Sequence, residues 1–280
     1  MAQTDNVLPR RAYTDGPFGQ IHFQQLGTGT PLVLLHQAPM TSEQFANVCE
    51  PLARRGFQAI GIDMPGFGLS DPADFIPGVA EYARVVVPVL DALGIADTAI
   101  LGHHTGALVA TETAIRFPDR ITALIVNGPL LVSDADFAFY MTGMYLWEQD
   151  FVAQADAGHM VQLFAIRNRL AHGEIPAARL SDYVVQALTG RAPFWHGHHA
   201  AYQYRQGDTL PAVTQPGLIL TNTGDSIYPD ALRAHALRPD FAYFALEGGG
   251  VDIVDQQPEA WADAVAAFLE TARAPARENA

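Results

Sequence analysis

Near the middle of the chain an apolar run over residues 98–101 passes through Gly102-His103-His104-Thr105-Gly106 into a helix-like run over 107–115. A strand that turns into a helix over a Gly-x-His-x-Gly pentapeptide admits few architectures. The two glycines let the strand and helix backbones approach closely, and the tip residue, His104, is held in a strained turn just before a helix N-terminus. The flanking sequence repeats the strand–helix rhythm. Residues 12–29 read as a hairpin around Gly16-Pro17-Phe18-Gly19, and residues 31–36 form a continuous apolar run, as in a strand buried on both faces. Thr41 or Ser42 can cap a helix that runs to about Arg55. A strand over 57–63, a Gly/Pro-punctuated loop over 64–71, a helix over 79–93 and a strand over 121–127 follow. The alternation predicts an α/β fold, a mostly parallel twisted sheet flanked by helices with right-handed crossovers.

The rhythm stops near Leu131 and returns at a strand over 217–221. The stretch between is helical in pattern and rich in aromatics, among them Trp147 and Trp195. It reads as an inserted helical cap over 131–210, with the α/β core formed by 1–130 and 211–280. A further strand over 241–246, a closing helix over 258–273 and a frayed tail over 274–280 complete the pattern.

Composition excludes several function classes. The net charge is −14, and the 16 basic residues are scattered, which argues against a nucleic-acid partner. The lone Cys49 excludes an internal disulfide framework and fits a reducing, cytoplasmic compartment. The first residues carry no basic-then-apolar leader, and no apolar run approaches a membrane span. Gly66-Phe67-Gly68 lacks the spacing of a dinucleotide loop. His196, His198 and His199 have no Cys, Asp or Glu at ligand spacing, so no metal is expected. The implied partner is a small-molecule substrate with no cofactor, and a homodimer is compatible with the sequence.

Four segments together carry a family resemblance. Leu35-His36-Gln37-Ala38-Pro39 stands where the family has a His-Gly-x-Pro loop. Residues 63–70, Asp-Met-Pro-Gly-Phe-Gly-Leu-Ser, match a D-x-P-G-x-G-x-S loop. Residues 223–229, around Asp225, match the loop carrying an acid, and residues 248–258 match the loop carrying a histidine. Over nearly its full length the chain resembles the capped branch of the α/β-hydrolase superfamily, which holds esterases, C–C bond hydrolases and haloalkane dehalogenases. Two departures matter. His104 occupies the nucleophile position, and Val251, seven residues before Pro258, occupies the position of the catalytic histidine. The acid position, Asp225, is kept. The Ser-His-Asp relay cannot operate as written.

The resemblance implies backbone oxyanion donors at Ala38 and Thr105, which survive any side-chain change. An imidazole at the tip reaches further than a serine hydroxyl and can meet Asp225 directly. A His104–Asp225 pair then acts either as nucleophile or as general base, and the bulk of the ring over the turn favours the base. His36 is expected to shape its loop, Gln37 to aim an amide at substrate or to pack, and His103 to pack. Trp147 and Trp195 are expected in the pocket wall, and a cap histidine such as His199 can supply an acid there. The leading expectation is a hydrolase-like enzyme acting on a small apolar carbonyl compound: an ester, a lactone or a C–C bond beside a ketone. Two alternatives stand beside it, a cofactor-free lyase, isomerase or oxygenase using the same base, and a catalytically silent ligand-binding protein.

Overall fold

The computed structural model describes residues 8–273. The tail expected to fray over 274–280 and residues 1–7 lie outside them. Among the described residues eight strands form one sheet: β1 (Arg10–Gly16), β2 (Gly19–Leu26), β3 (Thr30–Leu35), β4 (Phe57–Ile62), β5 (Thr98–His103), β6 (Ile121–Asn127), β7 (Gly217–Asn222) and β8 (Ala242–Leu246). Their order is β1-β2-β4-β3-β5-β6-β7-β8. The β1–β2 and β2–β4 pairs are antiparallel and every later pair is parallel. The sheet is therefore mostly parallel, as the sequence rhythm predicts.

Both faces of the sheet are covered, which explains the unbroken apolar runs. On β3, Leu32 and Leu34 face a layer that contains Trp261 and Val265, whereas Val33 and Leu35 face Val86, Leu108 and Ala231. One period-2 strand thus divides its side chains between two cores. The first layer holds α1 (Ala46–Arg54), which follows a 3₁₀ turn over Ser42–Phe45. Thr41 is the cap, its hydroxyl accepting the Glu43 N–H at 3.2 Å. The helix expected over 79–93 is two helices, α2 (Val79–Ala83) and α3 (Val86–Ala92). The break falls at Arg84, whose carbonyl an unbroken helix would press against the ring of Pro88, four residues on. Then come α4 (Thr105–Arg116) and β6.

Among the described residues only helical elements lie between β6 and β7. These are α5 (Asp134–Phe139), a π-helical turn over Tyr140–Met144, α6 (Tyr145–Gln149), α7 (Gly158–Leu170), α8 (Ala177–Leu188), α9 (Trp195–Gln203), α10 (Gln206–Thr209) and a 3₁₀ turn over Leu210–Ala212. Leu163, Leu180, Tyr183 and Val184 from α7 and α8 pack with Met40, which seats these helices on the loop that follows β3. The chain ends with α11 (Tyr228–Leu237), α12 (Ile253–Gln256) and α13 (Pro258–Arg273). Among the described residues no helix is long and apolar enough to cross a membrane. The carboxyl ends of β3, β5, β6 and β7 open beneath the cap helices, where ligands of open parallel sheets bind.

Candidate active site

His104 is the single residue between β5 and α4, at φ 49° and ψ −112°. A non-glycine residue there stores about 1–3 kcal/mol of strain, so the neighbours must hold it. They do so at both ends. The His104 N–H donates to the Asn127 carbonyl and the His104 carbonyl accepts from the Ala107 N–H, each at 2.8 Å. A Cβ on Gly102 would collide with the Gly106 carbonyl, and one on Gly106 with the Leu35 carbonyl. The two glycines are thus required by backbone contact.

The strained turn aims the His104 ring at the end of β7. Its Nε2 lies 2.6 Å from Asp225 Oδ2, with side-chain exposures of 16% and 0%. Burial alone would raise the Asp225 pKa. The charge and hydrogen bond of His104, with the Ile227 N–H donating to Oδ1 at 3.1 Å, outweigh burial and hold the carboxyl below its ordinary range. With Asp225 ionised, Nε2–H is the donor, so in the neutral form of the ring Nδ1 carries the lone pair. Nδ1 has no hydrogen-bond partner among the described residues. Gly128, just after β6, lies against the pair, and its positive φ of 63° brings bare backbone to the ring.

The Ala38 and Thr105 N–H groups, the expected oxyanion donors, make no hydrogen bond among the described residues, and both residues line one cavity with His104. Gln44 ties this loop to the turn: its carbonyl accepts from the Gln37 N–H at 2.9 Å and its amide donates to His103 Nδ1. Burial, followed by the neighbouring charges of His104 and Arg167, holds the His103 pKa well below the ordinary value, so this ring stays neutral. His36 lies outside the cavity. Its Nε2 accepts from the Met64 N–H and its Nδ1 donates to the Gln37 carbonyl, each at 3.0 Å, so it braces two loops. The Gln37 amide points to Asp252 Oδ1 at 3.5 Å.

The cavity has a volume of about 820 Å³. Trp147 lines it; Trp195 and His199 do not, and pack with Tyr145 instead. The cap histidine in the wall is His198. Residues one apart on a helix point about 100° apart, so periodicity could separate His198 from His199 but could not say which one faces inward. Val251 also lines the cavity. The next residue, Asp252, forms a buried ion pair with Arg167 of α7. Burial raises the Asp252 pKa, and Arg167 opposes the rise. This pair and a second one between His198 and Glu148 are polar features of a pocket expected to be apolar. Nothing in local sequence marks them, because their partners lie 85 and 50 residues apart.

Residues 30–209 match the family model for the α/β hydrolase fold. A 2-hydroxy-6-oxononadienedioate/2-hydroxy-6-oxononatrienedioate hydrolase of Burkholderia vietnamiensis is 33% identical over 45% of this chain and 48% of its own length. Bifunctional epoxide hydrolase 2 of Mus musculus is 31% identical over 42% of this chain and 22% of its own. The chain thus spans less than half the length of these curated relatives. Among solved structures, an esterase from Exiguobacterium antarcticum superposes with a TM-score of 0.79 at 18% identity, over 93% of this chain and all of its own, a likeness of fold.

Proposed function

The chain belongs to the α/β-hydrolase fold family, and on that premise we propose that it is a hydrolase-like enzyme whose general base is His104, oriented by Asp225. The substrate is a small carbonyl compound: an ester, a lactone or a C–C bond beside a ketone. The observation that carries this reading is the 2.6 Å contact between His104 Nε2 and Asp225 Oδ2. It leaves Nδ1 as the basic atom at the cavity floor.

In the proposed step Nδ1 takes a proton from water as the water oxygen adds to the carbonyl carbon. The carbonyl π pair moves onto oxygen, where the Ala38 and Thr105 N–H groups stabilise it. Asp225 stabilises the imidazolium, as the acid of a Ser-His-Asp relay does. Water replaces serine as the attacking group, because the ring fills the place where an acyl group would form. The test is a pH–rate profile on activated short-chain esters and lactones. Wild-type turnover should fall towards acid pH, where the base is blocked by a proton, His104→Ala and Asp225→Asn should lose turnover, and acid-quenched protein should carry no acyl adduct. Three equally inactive proteins, or an adduct on His104, would sink the reading.

Val251 favours a second use of the same base, since an apolar residue replaces a polar one in the wall. Proton abstraction from carbon would then give a product without oxygen from water, which isotope-labelled water would reveal.

A further inference from the structure

A leaving alkoxide or carbanion needs a proton as it departs. His104 sits beneath the attacked carbon, and Val251 stands where a second imidazole would be. The cap offers one from above. His198 on α9 lines the same cavity, and its Nδ1 lies 2.5 Å from Glu148 Oε1 on α6. Side-chain exposures are 26% for His198 and 2% for Glu148, and Glu148 Oε2 has no hydrogen-bond partner among the described residues. A carboxylate this buried beside an imidazole orients the ring as Asp225 orients His104.

The placement of α9 fixes where that ring hangs. A Cβ on Gly197 would lie 2.5 Å from Ala38 Cβ and 2.8 Å from Phe67 Cζ, so the helix rests directly on the oxyanion loop. His198 is the next residue. With Nδ1 taken by Glu148, Nε2 is the ring nitrogen left over, on a ring that lines the cavity together with Ala38. A substrate whose carbonyl oxygen lies at the Ala38 and Thr105 N–H groups therefore has His104 below it and His198 above it.

We propose that His198, held by Glu148, is the general acid of this site and suits it to unactivated esters, lactones and C–C bonds whose leaving groups depart only when protonated. The proposal rests on the reading of His104 as base. As the bond to the leaving atom breaks, its electron pair stays on that atom and takes the Nε2 proton of His198. His198 regains a proton through solvent when His104 releases the one it took from water, so none is consumed. Glu148 on α6 and Arg167 on α7 act on the His198 proton, and Tyr202 of α9 and His104 line the same cavity. Burial works against the proton, as does Arg167, but the charge and hydrogen bond of Glu148 and the Ala38 carbonyl prevail and hold the ring's pKa above its ordinary value.

The test is a series of esters with one acyl group and leaving groups from nitrophenol to a simple alcohol. His198→Asn should lose roughly 10²-fold in kcat/KM on the alkyl ester and less than about 3-fold on the nitrophenyl ester, as expected when only a basic leaving group needs an acid. Wild type should show an alkaline falling limb on alkyl esters alone, and Glu148→Gln, which keeps the shape of the pair, should move that limb to lower pH. Equal losses across the series in His198→Asn, with His104→Ala inactive throughout, would overturn the acid and leave the base. An active His104→Ala would overturn the base, and this proposal with it.

Discussion

A methyl group added at Gly128 would lie 2.6 Å from His104 Cδ2 and 2.8 Å from its Nε2, and the φ of 63° there already disfavours a side chain. Gly128→Ala should push the ring off Asp225 and lower kcat/KM by roughly 10²-fold, the effect of a displacement near 1 Å. An unchanged far-UV spectrum beside the lost activity would place the effect at the site. Acid should act on the same pair. The Asp225 pKa is held below its unfolded value, so the contact stabilises the fold above about pH 4 and fades as pH falls through the lower folded value. The gap in unfolding free energy between wild type and Asp225→Asn should be widest near neutrality and narrow towards acid; a constant gap would contradict this. The family resemblance placed His104 and Asp225 on two loops that could meet, but whether they do was not legible in the sequence, because 121 residues separate them. Nor was Gly128: it stands alone after a strand, and its role exists only through the ring it leaves room for.

Secondary structure was most legible where physics is most local. A strand buried on both faces writes itself as an apolar run, as at β3, β5 and β7. The break between α2 and α3 was readable in principle from Pro88, but the apolar periodicity of 79–93 overrode it. The cap helices gave only their composition. What fastens them is tertiary: Arg167 of α7 pairs with Asp252, and the Arg167 and Arg179 guanidinium groups each lie 5.0 Å from the Tyr183 ring centre. Arg179 continues to Asp255 of α12 at 3.1 Å. Removing one member of a buried pair strands the other charge. Arg167→Met should therefore cost about 3–5 kcal/mol, and joining it with Asp252→Leu should recover most of the loss. Urea unfolding of the three proteins decides it, and a double variant no more stable than the single one would refute the clamp.

At the scale of the molecule, three neighbouring strands each deliver one part of the site at their carboxyl ends: His104 after β5, Gly128 after β6 and Asp225 after β7. That a parallel sheet would do this was legible from the strand–helix alternation. The roof that the intervening helices make over it was not, because packing of short helices is decided by contacts distant in sequence. His104 and Asp225 are 121 residues apart, with every cap helix between them. On the proposed reading of His104 as base, this separation makes turnover a clock for folding. Local helices can form early, but closing so long a loop is slow, and the pair exists only once β7 has docked on β6. After dilution from urea, helical signal should return first and ester turnover only with the slowest structural phase. Turnover that recovered ahead of that phase would mean that the two residues find each other before the sheet does.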